Sequence, residues 1–248
     1  MMRGLYLALS GLLFGAGPLW AQPAVSLVVA GRYHLMRARF AGPSPAGSGV
    51  TIVPEVYRAG ALGVVVGVSP RDVLHATAGV TSYGLAFNVA TFQQDALEFA
   101  LVLRRHYGTA AKPGRTWMAD AGVDMVYLGS RFGGASFGFG GADPNNTSGP
   151  GSASRGEPVG GRPYRVGLRL GAGREWPLGP RHYVSLAAVA SVGLQDLQRF
   201  ELQSVVWQQG PTIDPVSYRS TVATRLSFVA IQAQYRFALL PGGTDRLR

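Results

Sequence analysis

The sequence predicts an all-β fold, an eight-stranded antiparallel up-and-down transmembrane β-barrel. Three observations predict it. Segments of strand length alternate apolar and polar side chains, the period-two signature of a strand with one oily and one wet face. The 35 glycines and 16 prolines are interleaved with Val, Leu and aromatic residues at strand spacing rather than gathered in polar tracts, and only 15% of residues are charged. The connections between the segments alternate short and long, as in barrels with tight turns at one membrane surface and longer loops at the other.

Taken in order, the chain begins MMRGLYLALSGLLFGAGPLWAQ, with one positive charge at Arg3, an apolar run from Leu5 to Phe14, and Gly17-Pro18 before Ala21-Gln22. This reads as a secretory signal peptide cleaved after Ala21, because the run is shorter than the roughly 20 residues of a spanning helix. The expected division is a signal peptide over 1–21, a barrel over 22–240 and a short periplasmic tail over 241–248. With no cysteine in the chain, lipoprotein anchoring and a disulfide framework are both excluded. No later apolar run is long enough for a membrane helix, so a chain that enters a membrane does so as a closed barrel.

Eight strands are expected. The first lies near Val25 to Arg39, and the second near Tyr57 to Val68, with Leu62, Val64, Val66 and Val68 on one face. A Ser69-Pro70-Arg71-Asp72 turn leads to the third, about Leu74 to Phe87. The fourth, Ala96 to Tyr107, sets Leu97, Phe99, Leu101 and Leu103 against Glu98, Ala100, Val102, Arg104 and His106. After a Lys112-Pro113-Gly114 turn, the fifth runs from Thr116 to Gly129, with Trp117, Ala119, Ala121, Val123, Met125 and Tyr127 opposite Met118, Asp120, Gly122 and Asp124. The sixth, Tyr164 to Trp176, opposes Val166, Leu168, Leu170 and Ala172 to Arg165, Gly167, Arg169 and Gly171. Pro177 to Pro180 turn it into the seventh, His182 to Gln195, with Val184, Leu186, Ala188, Ala190 and Val192 outward. The eighth, Ser227 to Leu239, alternates Val229, Ile231, Ala233, Tyr235, Phe237 and Leu239 with Ala230, Gln232, Gln234 and Arg236. Its aromatic ending, Tyr235 and Phe237, has the form of an insertion signal for the barrel-insertion machinery.

Short turns follow the second, fourth and sixth strands, and longer connections the others, which puts both termini on the periplasmic side of an outer membrane. Outward aromatics gather near strand ends, Tyr107, Trp117, Trp176, Tyr235 and Phe237 at the short-turn end and Tyr127 and Tyr164 at the other. Two such girdles suit the two interfaces of a bilayer.

The run ALEFALVLRRHYG, the Lys-Pro-Gly turn, WMADAGVDMVYLGS, YRVGLRLGAGREWPLG and the closing YRF resemble the PorT-like outer-membrane β-barrel family. The resemblance covers about residues 25 to 239. It implies an eight-stranded barrel of OmpA-like architecture and, for most members, no established activity. The chain departs from it in having Gln232 where the closing signal carries glycine, and in continuing from Pro241 to Arg248.

Eight strands leave an interior just wide enough for side chains to fill it. The inward charges must then find partners. Counting depth from the short-turn end pairs Arg104 with Asp120, and Glu98 and Asp124 with Arg169, with Arg165, Arg32 and Arg236 nearby. That charge network is expected to be a structural plug. A rearranging ion gate is the alternative, and it makes the protein a narrow gated channel or small-solute transporter. A soluble secreted barrel that binds an apolar ligand is a third reading.

Other chemistries find little support. The net charge of +10 is spread over turns and strands instead of gathered in a patch with aromatics between, which argues against nucleic acid. Many basic residues, Arg71, Arg104, Arg105, Lys112, Arg115, Arg174, Arg181, Arg246 and Arg248, fall by the short turns or in the tail, where anionic lipid of an inner leaflet would meet them. No enzyme is expected: His34, His75, His106 and His182 form no hydrolase cluster, and His182 and Ser185 fall on opposite strand faces. No metal-ligand spacing is present. The glycines of Gly129 to Ala142 lack the Lys-Ser/Thr ending of a phosphate loop, so no cofactor is expected. The sequons in Asn145 to Ser148 are read as chance. The partners expected are outer-membrane lipid, the insertion machinery and a surface partner met by the long loops Arg131 to Pro163 and Asp196 to Arg219.

Overall fold

In the computed structural model, the alternating segments pair edge to edge in chain order until the sheet has no edge left. The structure describes residues 24–36, 38–40, 51–87, 91–107, 116–128, 137–141, 151–207 and 216–240. The expected signal peptide, the Lys112 turn, the sequons and the tail lie outside them. The described strands are β1 (Val25–Met36), β2 (Arg39–Phe40), β3 (Glu55–Gly67), β4 (Asp72–Ala86), β5 (Thr91–Tyr107), β6 (Thr116–Tyr127), β7 (Phe137–Gly141), β8 (Gly151–Gly161), β9 (Tyr164–Pro177), β10 (His182–Gly193), β11 (Gln198–Trp207), β12 (Val216–Thr224) and β13 (Phe228–Leu240).

Eight of these, in the order β1-β13-β10-β9-β6-β5-β4-β3, close into an antiparallel barrel. They correspond to the eight expected segments. The seam joins β1 to β13, from Val25 opposite Leu240 to Met36 opposite Phe228. On its other side β1 pairs with β3 from end to end, so each barrel strand has both edges hydrogen-bonded. Local chemistry makes the short turns. Ser69 Oγ donates to Asp72 Oδ2 at 2.8 Å and accepts from the Asp72 amide at 3.0 Å, while Leu178 N closes the turn between β9 and β10 on the His182 carbonyl at 2.8 Å.

Alternation fixes which side chains face out. Leu62, Ile231 and Leu170 are 65%, 64% and 63% exposed, whereas Arg104, Asp124 and Arg165 on the opposite faces are 2%, 1% and 0% exposed. A soluble fold distributes such residues the other way round. At the end away from the short turns, Met36, Tyr57, Tyr83, Leu197, Leu226 and Phe228 form an apolar cluster inside the barrel mouth.

The two long connections, Arg131 to Pro163 and Asp196 to Arg219, are not simply loops. They contribute β7, β8, β11 and part of β12 to a second sheet of order β2-β12-β11-β8-β7. Phe200, Leu202 and Val222 from this sheet bury against Ala38, Ile52 and Phe87 at the barrel rim, which is what makes the extension worth folding. The glycine-rich stretch Gly129 to Ala142 holds β7, paired to β8 from Phe137 opposite Gly156. The return from the sheet into the barrel passes through Leu226, a non-glycine residue at φ 51°, whose amide donates to Thr224 Oγ1 at 3.3 Å.

Candidate functional site in the barrel lumen and at the outer rim

Barrel register sets the lumen's polar groups in three tiers. Nearest the short turns, Arg104 and Asp120 lie directly opposite one another on β5 and β6 and form a two-pronged pair, Nε to Oδ1 at 2.7 Å and Nη2 to Oδ2 at 2.9 Å. Beside them Glu175 accepts from Arg236 Nη2 at 2.8 Å and stands 3.9 Å from Arg104 Nη1 and 3.4 Å from His106 Nε2. Arg236 also stacks on Tyr183, 3.9 Å from the ring centroid. Glu175 escapes a sequence reading that stops at Gly171, yet it continues the same inward series of the strand: 165, 167, 169, 171, 173, 175.

In the middle tier Arg32 reaches across the lumen to Glu98, donating from Nη1 to Oε1 at 2.6 Å and from Nη2 to Oε2. Arg169 Nη1 joins the same carboxylate at 3.3 Å, and its Nη2 donates to Gln232 Oε1. Arg32 lies over the Phe228 ring at 4.4 Å. In the third tier Asp124 meets Arg165, Nη1 to Oδ1 at 2.8 Å, and not Arg169 as depth alone suggested. The register explains the correction. Asp124 lies opposite Gly167, so Arg165 and Arg169 flank it equally, and Arg169 is already engaged by Glu98 and Gln232. Gly167 makes the pairing possible, since a Cβ there would fall 1.9 Å from Arg165 Nη1 and 2.4 Å from Asp124 Oδ1.

Five arginines, Arg32, Arg104, Arg165, Arg169 and Arg236, thus meet four carboxylates, Glu98, Asp120, Asp124 and Glu175. Beside them the lumen keeps a cavity of about 30 Å³, lined in part by His75, Thr77, Arg104 and Gln234. That is space for one or two waters. His34 Nε2 lies 3.0 Å from the Ser82 carbonyl, and His182 Nδ1 contacts the Tyr235 hydroxyl. Ser185 Oγ donates to Gln234 at 3.4 Å, away from His182. Among the described residues no group of three His, Cys, Asp or Glu side chains is placed to hold a metal ion. Tyr235 is 40% exposed on the outer face, and Phe237 follows it there in register opposite His182.

The rim carries a separate charged group that the sequence reading passed over. Asp196, just past β10, accepts from Arg225 Nε at 2.8 Å and from Arg199 Nε and Nη2 at 3.1 and 2.9 Å. Its carboxyl is held below the usual aspartate range, chiefly by the Arg225 hydrogen bond and then by Arg199.

Together these features define an eight-stranded antiparallel β-barrel with an apolar exterior, a charge-filled interior and a sheet built on one rim. No protein-family model matches the chain, and no curated protein sequence does. Solved structures similar to it include the outer membrane protein OprG from Pseudomonas aeruginosa, at 10% identity and a TM-score of 0.43 over 86% of this chain and 96% of that one. A major outer membrane protein from Thermus thermophilus aligns at 13% identity and a TM-score of 0.44 over 88% and 99%. The outer membrane protein AlkL, determined in lipid bilayers, aligns at 13% identity and 0.39 over 92% and 96%.

Proposed function

We propose that the protein is an integral outer-membrane barrel of the PorT-like kind, with a plugged lumen and a structural or surface-interaction role carried by the outer sheet. One observation carries the membrane reading: the closed barrel turns Leu, Val and Ile outward in every strand while it buries arginine–carboxylate pairs. Lipid covers such an exterior at no cost in hydrogen bonds, because a closed barrel leaves no unpaired backbone edge. Water would leave each exposed Leu or Val short of about 1.5 to 3 kcal/mol of burial.

The plug reading rests on the tiers of ion pairs and on the apolar cluster that fills the mouth above them. The small cavity beside the ion pairs would have to join both ends for a solute to pass, and that requires Arg32, Glu98 and Arg169 to part. Both termini are periplasmic in this reading, with the second sheet outside the cell and Tyr235 and Phe237 offered to the insertion machinery.

Washing membranes with carbonate and then urea tests integration. The chain should stay in the pellet until detergent is added, and release by the washes alone would refute it. Planar-bilayer recording tests the plug, which predicts no steady conductance of porin size. Protease added to intact cells should cut within the second sheet, and cleavage at the short turns instead would invert the topology.

A further inference from the structure

An open cleft of about 440 Å³ lies where the second sheet meets the barrel rim, lined in part by Gly160, Arg162, Gln195, Asp196, Arg199 and Arg225. Four stretches of chain bring an arginine to this place: Arg39 on β2, Arg162 between β8 and β9, Arg199 on β11 and Arg225 between β12 and β13. Three of them share one acid, with Arg39 Nη2 at 3.5 Å, Arg225 Nε at 2.8 Å and Arg199 Nη2 at 2.9 Å from Asp196. Arg162 has no ion pair among the described residues.

The neighbouring carboxylates do not offset this excess. Glu157 is engaged by Arg155 at 3.0 Å and Glu201 by Arg219 at 3.7 Å, further up the sheet. Three guanidinium groups therefore crowd one carboxylate, and Arg162 adds a fourth positive charge to the lining of the same cleft. Asp196 takes the Nε edge of Arg225 and the Nε–Nη2 edge of Arg199, which leaves Nη1 of Arg199 and both Nη groups of Arg225 without a hydrogen-bonded acid among the described residues. The planar fork of a guanidinium matches two oxygens of a tetrahedral anion, and arginine is the side chain best suited to that contact.

We infer that this cleft binds a phosphate monoester or inorganic phosphate, held by Arg162, Arg199 and Arg225 with Asp196 fixing the last two. The cleft is many times the volume of one water, so it has room for a group attached to the phosphate. Just below it on the barrel exterior, Val192, Leu194 and Tyr164 are 58%, 56% and 41% exposed. A phosphate borne by a lipid headgroup could therefore sit in the cleft with its chains along that face, and a free phosphate would use the same arginines.

The test uses the full chain in a neutral maltoside detergent, titrated calorimetrically with inorganic phosphate, and the same chain in phosphatidylcholine nanodiscs with or without phosphatidic acid. Arg162→Gln should weaken phosphate binding about tenfold, the effect of losing a charge-assisted contact, and Arg162→Lys should restore part of it. Since Arg162 holds no ion pair among the described residues, this variant keeps the rim folded, as unchanged heat-modifiable migration would show. Phosphatidic acid that binds and is displaced only at high inorganic phosphate identifies a lipid headgroup as the source. Binding of inorganic phosphate alone identifies a soluble one. No binding of either, or affinities within twofold for wild type and Arg162→Gln, overturns the inference. A chain released from membranes by carbonate that still binds phosphate through Arg162 would refute membrane integration and leave this site standing.

Discussion

Asp124→Asn removes one charge from the most deeply buried ion pair of the barrel and leaves the packing nearly unchanged. Both side chains of the Arg165–Asp124 pair are 0% exposed and their closest atoms are 2.8 Å apart. At an effective dielectric constant of about 20, unit charges about 4 Å apart attract by about 4 kcal/mol. Stranding one partner of a buried pair typically costs about 3 to 5 kcal/mol. The variant keeps a neutral oxygen for Arg165, so the expected loss is near the lower figure, about 3 kcal/mol. Reversible urea unfolding in lipid vesicles, followed by tryptophan fluorescence, measures it. Arg165→Met should cost a similar amount, but the double variant should cost less than either, because no uncompensated charge remains. A loss below about 1 kcal/mol for Asp124→Asn, or additive losses in the double variant, would refute the view that this pair is held as a unit in a low-dielectric lumen.

Gly167→Ala probes the same pair without altering a charge. Its Cβ would stand 1.9 Å from Arg165 Nη1, and the overpacking should cost about 1 to 3 kcal/mol in the same unfolding assay. Leu170→Arg, on the outward face halfway along β9, should cost about 2 to 4 kcal/mol in a bilayer, while arginine at Tyr164 near the strand end should cost about 1 or less; equal, small losses at both sites would indicate a barrel surrounded by water. Asp196 titrates below the usual aspartate range because Arg225, and then Arg199, favour its charged form. A lowered folded-state pKa adds stability above the unfolded value and loses it as pH falls through the folded one. Protection of β11 and β12 amides from exchange should therefore weaken in that acidic window, and Asp196→Asn should abolish the dependence.

The eight barrel strands were legible because their signal is local and repeated. A strand between lipid-like and lumen surroundings must alternate at every residue, and Leu97 to Leu103 against Glu98 to Arg104 shows it without any knowledge of neighbours. The Arg104–Asp120 contact was legible for the same reason: counting from the expected Lys112 turn puts the two residues at the same depth, and the register sets them side by side. Glu175 and His75 were readable too, had the inward alternation been followed to the ends of β9 and β4. The second sheet was harder. Phe200 and Leu202 alternate on β11, but their partner strand, GSASRGEPVGG, has the composition of a loop and becomes a strand through pairing with β11.

By itself, then, the amino-acid sequence determined the barrel, its strand order, its oily exterior and the kinds of charge that fill it, because all of these follow from period-two alternation and turn length. Tertiary structure alone decided who pairs with whom across the lumen. Asp124 has two arginines at equal sequence offset, and the choice falls to Arg165 because Glu98, four strands round the barrel from Gln232, draws Arg169 into the middle tier. Contacts across a closed barrel join strands that are not sheet neighbours, as Arg32 and Glu98 are not. No local pattern encodes them. The same holds for the rim, where Arg39, Arg199 and Arg225 meet round Asp196, and Arg162 joins the cleft lining, only after the second sheet has folded back onto the barrel.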